Sequence, residues 1–167
     1  MRLLTWLLLA GFGAAAADQP ADWGPLERLR GEWVGEGGGG PGQGSGWFSF
    51  KTDLQGKILV RTNRAEYPAS KERPAFAHDD LMIVYRDSTA APAHAIYFDS
   101  EGHTIRYDVQ PGENAIVFVS AAQTNAPRYR LTYTLVDRDH LKIRFEIAPP
   151  AHPDRFAPYI DAAARRR

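Results

Sequence analysis

From residue 47 to residue 148 apolar and polar side chains alternate with a period of two, the repeat of a half-buried strand. The alternation predicts strands over 47–54, 58–66, 81–87, 93–99, 103–110, 115–120, 129–136 and 141–148, with a ninth over 32–36. Turn-forming runs separate them: Gln55-Gly56-Lys57, Asp99-Ser100-Glu101-Gly102, Pro111-Gly112-Glu113-Asn114 and Asp137-Arg138-Asp139. Links so short join antiparallel neighbours, because a parallel crossover needs about a dozen residues. Many short strands in hairpin succession predict an all-β barrel or sandwich, and an antiparallel up-and-down β-barrel of about 8–10 strands is the expected form. A short N-terminal helix is expected over 23–30, where Pro25 comes early and Leu26 and Leu29 are three apart. A short C-terminal helix is expected over 159–167, after Pro158 and ending in three arginines; a solvated basic tail is the alternative. Residues 68–74 read as a polar loop.

Within the strands the odd positions are mostly apolar and predict the inner face. They are Leu81, Ile83, Tyr85, Ala95, Tyr97, Ile105, Tyr107, Val109, Leu131, Tyr133, Leu135, Leu141, Ile143, Phe145 and Ile147. Met82, Val84, Ile96, Phe98, Ile116 and Phe118 are apolar on the opposite face. That second apolar face predicts a cover, either a terminal segment or a second copy in a homodimer.

The 167 residues are 44% hydrophobic, enough for one packed domain. Twenty basic and 20 acidic side chains cancel, so no electrostatic case exists for a nucleic-acid partner. The absence of cysteine removes disulfides, thiolate metal sites and cysteine nucleophiles. At the start, Arg2 precedes an apolar run that ends in small residues, with Ala15 and Ala17 at Ala-x-Ala spacing. This is the order of a secretory signal peptide over 1–17. A transmembrane anchor is the alternative, but a span needs about 20 apolar residues. The expected organisation is therefore a signal peptide at 1–17, a barrel domain at 18–150 and a C-terminal extension at 151–167. The expected location is periplasmic or secreted, with no membrane span after cleavage.

The segment Leu26-Glu27-Arg28-Leu29-Arg30-Gly31-Glu32-Trp33-Val34-Gly35 resembles the entry to lipocalin-like (calycin) β-barrels. There a short helix leads to a Gly-x-Trp at the first strand, and the Trp packs across the closed end. The resemblance implies that Gly31 and Trp33 are structural. The continuation Gly35-Glu36-Gly37 and the glycine loop after it look nearest to the nitrobindin-like branch, small barrels that can hold haem. The Thr-Asp-Tyr motif of classical lipocalins is absent, and no His matches the late helical haem ligand of nitrobindins. The residues therefore predict no cofactor, and haem stays open only through the resemblance.

Candidate chemistry is sparse. Gly37, Gly39 and Gly42 make a formal G-x-G-x-x-G, but a strand follows where a dinucleotide site needs a helix N-terminus. Ser45 lacks the glycine that a G-x-S-x-G nucleophile elbow requires. No pair among His78, His94, His103, His140 and His152 has metal-ligand spacing, so no metal is predicted. Two acid–base candidates remain: His78 with Asp79, whose alternative is a polar strand start, and Asp99 with His103, whose alternative is turn polarity. Tyr85, Tyr97, Tyr107 and Tyr133 share the expected inner face with Phe145, and each phenol needs a hydrogen-bond partner. Together they predict either a packed core or a cavity for a small hydrophobic or amphipathic molecule. Ligand binding is the leading expectation. A rim acid–base enzyme (isomerase, cyclase or hydrolase) and a non-catalytic interaction module are its alternatives.

Overall fold

In the computed structural model, which describes residues 22–36, 45–71 and 74–167, each strand lies antiparallel to both neighbours, as the short turns require. The strands are β1 (Gly31–Gly35), β2 (Ser45–Asp53), β3 (Ile58–Tyr67), β4 (Phe76–Tyr85) and β5 (His94–Asp99). They continue as β6 (Thr104–Pro111), β7 (Ala115–Ser120), β8 (Arg128–Leu135), β9 (His140–Ala148) and β10 (Ala157–Arg166). Sequence neighbours pair throughout, and β10 returns to β1, so the sheet is a closed ten-strand up-and-down barrel. The expected signal segment and the glycine run 37–44 lie outside the described residues.

The expected C-terminal helix is instead the closing strand β10. Alanine favours helix, but here residues 157–165 pair with β9 while Ala164, Arg165 and Arg166 also pair with β1. A helix would leave both flanking strands as open edges, which is costly for a barrel. Pro158 cannot donate to a ladder, and the register shifts between it and Ile160.

Cross-strand partners share a face, which fixes what points inward. Met82 lies opposite both Arg61 and Tyr97, and Val84 opposite Leu59 and Ala95. Met82, Val84, Ile116 and Phe118 are fully buried core residues rather than parts of a second apolar surface. Leu81, Ile83 and Tyr85 consequently face outward, reversing the expected parity of β4. Ile96 and Phe98 do lie on the outer side.

One end of the barrel is plugged. A 3-10 helix, Gly24–Leu29, lays Leu26 and Leu29 inward, and its threefold repeat suits their spacing. Trp23 Nε1 donates to the Gly56 carbonyl at 3.0 Å, and Trp33 Nε1 to that of Leu29 at 2.8 Å. The Arg166 guanidinium stacks 4.2 Å from the Trp33 ring and donates to the carbonyls of Arg30 and Arg28 at 2.6 and 3.1 Å. Gly31 has φ +118°, and a Cβ there would meet Arg166 Nη1 at 2.6 Å. Gly31 and Trp33 are thus structural, as the resemblance implies, and at least one of the terminal arginines is a clasp. Among the described residues, no helix is long and apolar enough to cross a membrane.

Candidate functional site at the open end

The opposite end is formed where β3 and β5 finish and β4 and β6 begin. β4 starts at Phe76, so His78-Asp79-Asp80 lies within a strand and the twofold repeat divides it. His78 and Asp80 share the inner face with Ala65 and Asn63, whereas Asp79 shares the outer face with Arg64 and pairs with it at 3.0 Å. The expected His78–Asp79 pair is therefore not formed. His78 turns instead toward Tyr97, Asp80 and Glu101.

His78 Nε2 lies 3.0 Å from the Tyr97 hydroxyl and 3.6 Å from Asp80, and Nδ1 lies 3.1 Å from Glu101. The Tyr97 hydroxyl donates to Asp99 Oδ2 at 3.3 Å. Asp99 also accepts from the backbone N–H groups of Glu101 and His103 and meets the His103 ring at 2.9 Å. The expected Asp99–His103 pair is present, and Tyr97 joins it to His78 in one hydrogen-bonded run.

The nearby Asp80 carboxylate, with Glu101 on the other ring nitrogen, outweighs burial and raises the His78 pKa to about 9. The ring is an imidazolium at neutral pH and donates from both nitrogens. Burial pushes the Asp99 carboxyl up, but the His103 and Glu101 donors prevail and hold it below the ordinary range. Burial raises the Tyr97 and Tyr107 phenols, keeping both neutral, and pushes Tyr133 up to about 12.

Deeper in, Arg61 and Asp80 form a buried ion pair, their side chains 8% and 5% exposed, and Asn63 Nδ2 donates to Asp80 at 2.8 Å. Burial works against the Arg61 charge, and Asp80 more than restores it. Arg61 and Asn63 do not stand out in the sequence as site residues. Their signal was parity with Leu59 in β3, an inward position that the polar character of 61–66 concealed.

Four of the five expected binding residues, Tyr97, Tyr107, Tyr133 and Phe145, face the interior; Tyr85 lies outside, beside His94 with ring centroids 6.0 Å apart. The interior has two parts. Toward the plug, Trp33, Phe50, Leu59, Val84, Phe118, Tyr133 and Leu141 are fully buried. Toward the open end, Tyr97, Ile105, Tyr129, Ile143 and Phe145 point inward yet remain only partly buried. Tyr129 stacks on Phe145 with centroids 5.9 Å apart.

Ligand atoms of His78, Asp99 and Glu101 lie within 4.8 Å of one another, so among the described residues these three could hold a metal ion. Each is already hydrogen-bonded within the run described above. On the outer wall, a groove of about 700 Å³ is lined by Arg128, Arg130, Lys142, Arg144 and Phe156 among others. Its arginines are answered by Asp154, Glu146 and Asp161 at 2.7, 2.6 and 2.7 Å, a neutralised seam rather than an anion site. The chain matches no protein-family model, and comparison with curated proteins finds no match.

Proposed function

We propose that this is an exported barrel that binds a small amphipathic molecule through its open end. The observation that carries the reading is the row of inward apolar side chains, Tyr97, Ile105, Tyr129, Ile143 and Phe145, that keep solvent contact beside a polar rim. An apolar body with a few convergent polar groups is the usual construction of a small-molecule site. The ligand's apolar part would lie along Tyr129, Phe145 and Ile143, with its polar part toward Tyr97 and His78.

Titration with the hydrocarbon dye diphenylhexatriene tests this. Saturable binding is expected, and Ala162→Phe, which adds bulk on the inner face opposite Ile143, should weaken it at least about tenfold, or roughly 1.4 kcal/mol. Equal affinity in a folded Ala162→Phe variant would sink the reading.

The His78–Tyr97–Asp99–His103 run supports a second reading, an acid–base enzyme with the His78 imidazolium as proton donor. Ester hydrolysis above background that disappears in His78→Gln would support it, and equal rates in both proteins would remove it.

A further inference from the structure

Among the described residues three buried side-chain atoms have no hydrogen-bond partner: Arg61 Nε, Arg86 Nε and the Tyr133 hydroxyl. Arg86 lies at the plugged end, its guanidinium 5.2 Å from the Trp23 ring. The other two are neighbours inside the barrel, where the Arg61 guanidinium comes close enough to the Tyr133 hydroxyl to pull its pKa down against burial, yet Arg61 Nε and that hydroxyl complete no hydrogen bond. Apart from Asp80, Asn63 and the neighbouring phenols, their surroundings are aromatic. Arg61 lies 5.4 Å over the Phe48 ring, and Tyr133 packs against Phe48, Phe50 and Phe118 at 5.8, 5.7 and 6.0 Å.

An unpaired buried donor is costly and rare, so two together at one place call for an acceptor. Arg61 also sits in one cross-strand row with Met82, Tyr97 and Ile105, two of which keep solvent contact. The orphaned pair is thus at the boundary between the fully buried part, to which Tyr133 belongs, and the inward side chains that keep solvent contact, and forms the floor of the latter.

We infer that this floor binds a neutral acceptor oxygen of the ligand, such as an ester or ketone carbonyl, between Arg61 Nε and the Tyr133 hydroxyl. The inference rests on the barrel-binding reading above and names its ligand class. One oxygen with two lone pairs accepts both donors. A carboxylate fits less well, because the Arg61 charge is already met by Asp80. The field of Asp80 also reaches Tyr97, Tyr107 and Tyr133, so an added anion would sit against a buried negative charge.

The test displaces diphenylhexatriene with methyl decanoate, decane or decanoate from the intact protein and from Tyr133→Phe. Methyl decanoate should bind more tightly than the other two. Tyr133→Phe should weaken the ester about five- to tenfold relative to decane, the worth of one hydrogen bond, with the melting temperature unchanged. Equal ester affinity in both proteins, or decanoate binding as tightly as the ester, overturns the inference while the barrel-binding reading survives. A lower melting temperature with unchanged ester affinity would assign the two donors to an enclosed water, and also overturns it. The ester–alkane comparison needs no variant, and decane binding as tightly would be equally fatal. If the dye does not bind the unaltered protein, the barrel-binding reading itself fails.

Discussion

His78 is the residue whose protonation ties the open end together. Its pKa is raised from 6.5 to about 9, so the fold favours the charged ring. The stability this contributes is fully present below pH 6.5 and is lost as pH rises through about 9. Denaturant midpoints measured across that window should fall with rising pH, and His78→Gln should flatten the decline. A slope that persists in the variant would place its origin elsewhere. Asp80 is more demanding, because Asp80→Asn leaves Arg61 as an unpaired buried charge. We expect a loss of about 3–5 kcal/mol in urea unfolding, whereas an exposed pair such as Arg64–Asp79 should cost at most about 1 kcal/mol. The sequence made His78, Asp99 and His103 visible as chemistry and paired Asp99 with His103 as the structure does, but it set His78 beside Asp79 rather than facing Tyr97 and Glu101. Tyr97, the bridge between them, was legible only as an aromatic wall, because hydrogen bonds across strands depend on register.

Among the elements, the alternation located the nine strands it addressed, including β1 over Gly31–Gly35 where 32–36 was expected. It failed on facing in β4, where Leu81, Met82, Ile83, Val84 and Tyr85 are apolar on both sides and periodicity carries no sign. Only pairing with Arg61 and Tyr97 decides that Met82 points in. It failed also on β10, whose inward Ala162 and Ala164 read locally as helix formers. Arg166 gives that strand its anchor on Trp33 and the 3-10 helix. Gly31→Ala brings a Cβ against the Arg166 guanidinium and strains a left-handed backbone, so we expect a loss of about 1–3 kcal/mol, seen as a lower urea midpoint. Arg166→Ala should also destabilise, by removing the stacking and both carbonyl contacts together.

At the scale of the molecule, a plug and a mouth divide the barrel, and this division was only half legible. Gly31-x-Trp33 pointed to the plug through its resemblance, whereas the mouth is assembled from β3 to β6 and β8 to β10 and has no local signature. Ring closure between β1 and β10 also has a consequence in time. The ladder joining Trp33 to Arg166 spans nearly the whole described chain, so a chain emerging in order from the ribosome has every hairpin available before it has a barrel. Until residues 157–166 appear, β1 and β9 each offer a bare edge to any passing strand. A chain ending at residue 156 should therefore associate or be degraded rather than persist as a slightly weakened monomer, which sedimentation of the truncated protein would reveal. Closure of the barrel is withheld until residues 157–166 have been made, so the last strand rather than early collapse sets the moment at which the fold is complete.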